Sequence, residues 1–323
     1  MNSTENNKSK CQRALQCWYL TGATASGKTQ VSLELAKLLN AEIISLDSMA
    51  IYREMDIGTA KPTAADRSLV PHHLLDIIDP NESFSVSQYR EAALAKIDEI
   101  RERGREVLFV GGTALYLKAL LRGMFEGPPA DWAFRDQINH EIAEMGSEFL
   151  HQRLQMIDPV AAHNLHPNDH RRIIRALEVY KATGKPISHW QMQFDEGHAE
   201  DECRVFTLRH ARPILHLRIE QRVDQMFAAG LIDEAERLLE KWSDLGKTAA
   251  QAVGYRESFD HIRNEVDMET TIEKVRVRTR KFARHQETWF RGLSECRIID
   301  LEKEFDPVAT ANLLFEIGKA IQV

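Results

Sequence analysis

Apolar and polar residues along the chain follow two rhythms. Short apolar runs, continuous rather than alternating, mark strands covered on both faces. They occur at residues 17–20, 41–46, 74–78, 106–110, 204–208 and 297–300. Between them lie longer segments with apolar residues three and four apart, the spacing of one helix face. The first of these is 31–39. The second is 85–103, with Val86, Tyr89, Ala93, Ile97 and Ile100 on its core face and Gly104 as its stop. The third is 114–121. Further helical patterns cover 215–229, 231–242 and 269–290, and a closing helix runs towards Val323. In the last long helix, Val275, Phe282 and Trp289 recur every seven residues and are expected to face the core, beside a stripe of Arg276, Arg280, Arg284 and Arg291.

Strands alternating with helices predict an α/β fold, a parallel sheet flanked by helices. The alternation stops at Gly127-Pro128-Pro129, a turn signal. From Asp131 to about Trp190 only helical patterns follow, and residues 191–202 are polar. The expected organisation is a loose tail at 1–15, the first part of the sheet domain at 16–124, an all-helical insertion at 125–200, and the second part of the sheet domain at 201–323. Gly254, Tyr255 and Arg256 are read as a turn carrying an aromatic and a cation.

Composition narrows the class. Hydrophobic residues make up 43% of the 323, and no apolar run nears the roughly 20 residues a membrane-spanning helix needs. The polar, Asn-rich first ten residues lack a signal-peptide core, so a cytoplasmic protein is expected. Cys11, Cys17, Cys203 and Cys296 are scattered without a C-x-x-C pair, which speaks against zinc and against a disulfide framework. The net charge of −7 is unevenly spread: residues 273–291 carry +5 and 168–185 carry +3, leaving −15 on the remainder. An acidic body with two basic stretches can grip a polyanion. Each stretch alone reads equally well as a solvated helix face.

One segment carries most of the chemistry. Gly22, Ala23, Thr24, Ala25, Ser26, Gly27, Lys28 and Thr29 match G-x-x-x-x-G-K-[ST], with a strand before and a helix after. Loop amides and the helix N-terminus converge on one phosphate group, Lys28 adds a charge, and the Thr29 hydroxyl suits Mg²⁺. The loop does not say what the phosphate is attached to. Asp47 ends the second strand, where open α/β sheets bind ligands, and reads as a catalytic or metal-binding carboxylate or as a helix cap. The strand ending at Val110 leads into Gly111, Gly112 and Thr113 instead of the carboxylate of a switch or motor ATPase. His72 and His73 are adjacent and cannot face the same way on a strand, so they are expected to be structural or substrate-contacting and not a metal pair.

Taken together, these blocks resemble the tRNA dimethylallyltransferases, or tRNA isopentenyltransferases. The resemblance runs from Leu20 to about Arg291. It rests on the phosphate loop, Asp47-Ser48-Met49, Gly58-Thr59-Ala60-Lys61-Pro62, His72-His73, Gly111-Gly112-Thr113 with Leu115-Tyr116-Leu117, and residues 172–178. Further on it includes Arg222, Gly254-Tyr255, and Gln286 with Thr288-Trp289-Phe290-Arg291. It implies transfer of a dimethylallyl group from dimethylallyl diphosphate to the exocyclic amine of the adenosine just 3′ of the anticodon. The diphosphate would then lie in residues 22–29, with Mg²⁺ at Thr29. Asp47 would be the general base, Thr113 would hold substrate beside it, and Arg222 would neutralise the leaving group.

The same resemblance implies contacts to the tRNA anticodon stem-loop. Asp47, Ser48, Met49, Ala50 and Thr113 would meet the reacting base. Arg171, Arg172, Ile173, Ile174 and Arg175 would contribute from the insertion. Gly254, Tyr255 and Arg256, then Arg280, Arg284, His285, Gln286, Trp289 and Arg291, would contribute from the C-terminal part. The family resemblance also implies a monomer. Ala23 stands where the family usually has proline, Ala50 where it commonly has glutamine, and Arg171 and His285 where it often has Gln and Arg. A small-molecule kinase would share the phosphate loop, Asp47 and a helical insertion, but would not need two basic helices. The Arg-rich insertion and residues 254–291 argue against prenyl transfer to free adenine nucleotides, and no N-K-x-D supports a GTPase.

Overall fold

In the computed structural model, residues 10–125, 127–191, 194 and 196–321 are described. Six strands form one sheet: β1 (Trp18–Gly22), β2 (Ala41–Ser45), β3 (His72–His73), β4 (Glu106–Gly111), β5 (Val205–His210) and β6 (Cys296–Leu301). All pairings are parallel, in the order β3-β2-β4-β1-β5-β6. In chain order the helices are α1 (Lys28–Leu39), α2 (Ala64–Leu69), α3 (Val86–Glu102), α4 (Ala114–Leu121), α5 (Trp132–Met145), α6 (Ser147–Ile157), α7 (Pro159–Asn164) and α8 (His170–Thr183). They continue with α9 (Ile187–Gln191), α10 (Arg212–Ala228), α11 (Leu231–Lys241), α12 (Tyr255–Ile262), α13 (Met268–Arg291) and α14 (Pro307–Ala320).

The sheet is buried on both faces because side chains alternate along each strand. Tyr19, Ile44 and Phe109 enter one core cluster with Tyr89 and Ile97 of α3 and Leu117 of α4. Trp18, Leu20, Ile43 and Leu108 enter the other, with Val31 and Leu35 of α1 and Leu314 of α14. Both clusters recruit every second residue of continuous apolar runs, which is why those runs show no polar alternation.

The strand order positions the site. β4 lies between β2 and β1, in register Ser45↔Val110 and Thr21↔Gly111. The carboxyl ends of β2, β4 and β1 therefore finish side by side. The phosphate loop, Asp47 and Gly112-Thr113 follow those three ends.

The chain divides into two compact units. One is Arg122–Glu196; the other comprises the flanking stretches and holds the sheet. The helical unit has its own core, in which Phe134, Ile138, Leu150, Leu154, Ile173 and Leu177 pack together.

Several expectations change. Residues 10–15 are helical, not a loose tail, and Ala14 and Leu15 are buried. The Tyr19 phenol donates to the Ala14 carbonyl and Arg13 pairs with Asp98. Met1–Ser9, the remainder of that tail, lie outside the described residues. The strand expected at 74–78 is only His72–His73, because Leu74 and Asp76 have φ of 57° and 56° and break the extended chain. That kink turns Asp76 towards Lys61, whose buried ammonium donates to Asp76, Asp56 and the Tyr52 carbonyl. A buried cation without such partners would be costly.

The turn expected at residues 254–256 is the start of α12, with Gly254 at its N-cap. In α13 the heptad stripe is only partly core. Val275 is buried, but Phe282 and Trp289 are 45% and 39% exposed. The buried positions are Thr271, Val275, Ala283, Gln286 and Phe290. Val275 packs with Leu215 and Ile219 of α10, and Phe290 with the sheet-side core that holds Tyr19 and Phe109. The buried line rotates around the helix because its partner changes along its length.

Candidate active site

The phosphate loop closes β1 onto α1. Gly27, at φ 92°, stands at the N-cap of α1 and supplies no side-chain cap. The first-turn amides are thus left for an anion. The Lys28 ammonium bends back over the loop and donates to the carbonyls of Gly22 (3.0 Å) and Ala23 (2.6 Å). Ala25 sits in the left-handed region at φ 63°, and Arg218 Nε donates to its carbonyl at 2.7 Å. Gln286 Oε1 accepts the Thr24 amide at 2.8 Å.

The charge balance calls for an anion. Burial first, and the nearby Arg222 second, bring Lys28 down to about 7, with Asp47 pulling the other way. Burial also lowers Arg222, again opposed by Asp47. Two desolvated cations thus face one carboxylate, and a bound polyanion would relieve both.

Asp47 follows β2 and is held in place by the backbone: its Oδ1 accepts the amides of Met49 (2.7 Å) and Ala50 (3.3 Å). Asp47 caps a turn and not a helix, and it is coupled electrostatically to Lys28 and Arg222. Among the described residues no bond engages Oδ2. Next to it, Thr113 donates its amide to Leu46 and accepts the Ser48 amide on its hydroxyl oxygen at 3.1 Å. The hydroxyl hydrogen is left to donate elsewhere.

Close approach explains the two glycines before Thr113. A Cβ at Gly111 would stand 2.1 Å from the Leu46 carbonyl, and one at Gly112 would stand 2.2 Å from Gln286 Nε2. A carboxylate-bearing residue at Gly111 would force the ends of β2 and β4 apart, and one at Gly112 would displace the Gln286 side chain.

The remaining sequence-derived residues sort differently. Ser48 and Met49 are half-buried beside Asp47, but Ala50 is buried at 4% exposure, so its side chain is unsuited to meet RNA. Ile173 and Ile174 belong to the helical unit's core. In that unit Arg171 and Arg172 are exposed on α8, whereas Arg175 turns inward to Glu178. Burial pushes the Glu178 carboxyl up, but Arg135, Arg175 and the Asp131 amide outweigh it and hold it below the usual range.

Tyr255 is fully buried. Its phenol donates to Glu234 at 2.5 Å and accepts the Gly58 amide at 3.1 Å, and its ring fills the space a Cβ on Gly58 would need. Arg256 alone of residues 254–256 points to solvent. On α13, Arg280 is occupied by Glu220 (3.0 Å) and Glu273 (2.8 Å), and Arg276 by Asp224 and Glu273. Arg284, His285, Trp289 and Arg291 are exposed. Gln286 is buried between the loops and does not lie on that outer face. His72 and His73 turn to different partners, the Val70 carbonyl and Glu42.

Sequence reasoning missed Glu234. Its buried carboxylate accepts the Asp56 and Ile57 amides as well as the Tyr255 phenol, and so anchors the loop that carries Gly58. Nothing in its helical surroundings marks it. Arg218, which the sequence places four residues before Arg222 on one helix face, supports the phosphate loop through the Ala25 carbonyl.

Comparison with known proteins bears on the chain as a whole. The IPP transferase family model matches residues 50–293. The tRNA dimethylallyltransferase of Rhodopirellula baltica is 49% identical over 286 residues, covering 86% of each chain. The crystal structure of a full-length tRNA isopentenylpyrophosphate transferase from Bacillus halodurans is similar with a TM-score of 0.67 at 38% identity, covering 94% of this chain and 97% of that one. A eukaryotic dimethylallyltransferase described as acting on tRNA has a TM-score of 0.70 at 26% identity, covering 88% of this chain and 73% of that one. With its phosphate loop, its Asp47 and its all-parallel six-stranded sheet, the chain belongs to the IPP transferase family, that of the tRNA dimethylallyltransferases.

Proposed function

We propose that this chain transfers the dimethylallyl group of dimethylallyl diphosphate to the exocyclic amine of the adenosine 3′-adjacent to the anticodon of tRNA, releasing diphosphate. The observation that carries the reading is the coupling of Asp47, which follows β2, to Lys28 in the loop after β1 and to Arg222 of α10. One carboxylate suits a proton acceptor, and two desolvated cations suit a leaving polyanion.

In this mechanism the amine nitrogen attacks the allylic carbon, and the carbon–oxygen bond to the diphosphate breaks with its electron pair staying on oxygen. Residues 22–29, Lys28 and Arg222 stabilise the charge that develops there. The amine proton passes to Asp47, whose Oδ1 is anchored by two amides and whose Oδ2 is open. The Thr113 hydroxyl donates to substrate beside it. The adenine must leave the anticodon-loop stack to reach this point. Arg256, Arg284, His285, Trp289 and Arg291 on the sheet unit, and Arg171 and Arg172 on the helical unit, are the exposed groups suited to the stem-loop.

Thr29 is exposed at the first turn of α1, beside the loop that would hold the diphosphate. That fits Mg²⁺, which keeps waters and takes substrate phosphates as ligands. Held at Thr29, Mg²⁺ would supply further positive charge to the diphosphate. The reading also places a monomer in the cytoplasm, where tRNA is found. Among the described residues no helix is long and apolar enough to cross a membrane.

The test is an assay with labelled dimethylallyl diphosphate, Mg²⁺ and unmodified tRNA, run beside free AMP. Label in tRNA alone supports the reading. Label in AMP moves the acceptor to free nucleotides, and absence of label from both overturns prenyl transfer. Asp47→Asn keeps an Oδ1 acceptor for the turn, so it is expected to retain tRNA affinity while turnover falls about 10²–10⁴-fold.

A further inference from the structure

The sequence resemblance groups Gln286 with RNA contacts, but its side chain is 6% exposed and points inward. Its Oε1 accepts the Thr24 amide at 2.8 Å, and its Nε2 donates to the Gly112 carbonyl at 2.9 Å. One amide group thus spans the two loops that carry the chemistry. On one side is the phosphate loop. On the other is the Gly112-Thr113 turn, whose threonine accepts the Ser48 amide beside Asp47. The missing Cβ at Gly112 makes the room, since Nε2 occupies the space a Cβ would contact at 2.2 Å.

We propose that Gln286 is a positioning residue that sets the separation between the phosphate loop and the Thr113–Asp47 side of the site, and not an RNA contact. This rests on the prenyl-transfer reading above and deepens it. Donor and acceptor are used in opposite senses: Thr24 offers an N–H and Gly112 a C=O, so only a neutral amide matches both. A glutamate would place oxygen against the Gly112 carbonyl, and an apolar side chain would bridge neither loop. No partner that Gln286 engages lies on the exposed face of α13, where Arg284, His285 and Trp289 stand. An error in the separation changes the distance from amine to allylic carbon, and reaction rates respond steeply to such distances.

The experiment compares wild type with Gln286→Glu, which keeps the acceptor for Thr24 but sets a carboxylate oxygen against the Gly112 carbonyl, and Gln286→Met, which keeps volume but bridges nothing. Each is measured for thermal unfolding, anticodon stem-loop affinity, KM for dimethylallyl diphosphate and single-turnover rate at saturating RNA. Both variants are expected to bind the stem-loop within about twofold of wild type and to transfer label about 100-fold more slowly, the order a misplaced reacting group costs. A raised KM for the diphosphate is expected in Gln286→Met, because Thr24 loses its anchor. Trp289→Ala, on the outer face, is expected to weaken stem-loop binding. A large loss of stem-loop affinity with an unchanged saturated rate in the two Gln286 variants would make the residue an RNA contact and overturn the proposal. Wild-type rates in both folded variants would overturn it as well. A wild type that transfers no label overturns the underlying reading instead, so the two failures are distinguishable.

Discussion

The Thr113 hydroxyl oxygen accepts the Ser48 amide at 3.1 Å, which ties the end of β4 to the turn that holds Asp47. The bond uses Thr113 as an acceptor and leaves its hydrogen for substrate. Thr113→Val removes both roles and is expected to lower the single-turnover rate while stem-loop affinity stays near wild type. Thr113→Ser keeps the hydroxyl and is expected to recover most of the rate. A slow Ser variant would place the importance in the methyl group's packing instead.

Lys28 is expected to make diphosphate binding depend on pH. Its ammonium is brought down to about 7 by burial and by Arg222, whereas the unfolded chain keeps lysine near about 10.4. Between those values the unfolded state binds more protons, so the free protein's stability rises with pH across that window. A bound anion favours the charged lysine. Binding of inorganic diphosphate at pH 8 is therefore expected to take up a proton and to weaken as pH rises from 7 to 9. Titration calorimetry in two buffers of different ionisation heat reads the uptake directly. Lys28→Met is expected to abolish the Lys28 contribution, and a wild type that takes up no proton at pH 8 contradicts the assignment.

The arginines of α13 are not equivalent. Arg280 is already bound by Glu220 and Glu273, while Arg284 is exposed and carries no ion pair among the described residues. Arg284→Ala is expected to weaken stem-loop binding and to reduce its salt slope by about 1. Arg280→Ala is expected to change that slope less. Equal slopes in the two variants would mean that the Glu220 and Glu273 pairs open on RNA binding.

Tyr255 separates stability from recognition. Its phenol joins Glu234 to the Gly58 amide inside the protein. Tyr255→Phe leaves both partners short of a bond and is expected to cost about 1–3 kcal/mol. Urea unfolding would show this as a lower midpoint. Stem-loop affinity is expected to be unchanged, and a drop in affinity without a loss of stability would return Tyr255 to the RNA surface.

Much of this was legible along the chain because it depends on local order. The phosphate loop needs only a strand, a glycine-bounded turn and a helix, and all three are contiguous around residues 22–29. Five of the six continuous apolar runs belong to the parallel sheet, and the run at 74–78 does not. Asp47 was marked by its place at a strand end.

The tertiary structure decided what lies far apart in sequence. Which residues of α13 are buried depends on a partner that changes from α10 to the sheet, and no period within the helix encodes that change. Gln286 and Thr24 are 262 residues apart, Tyr255 and Gly58 are 197 apart, and the roles of these residues exist only where the loops meet. The same holds for Lys61, which the fold buries against Asp56 and Asp76. A buried polar group acquires its meaning from the partner that satisfies it, and the fold alone supplies that partner.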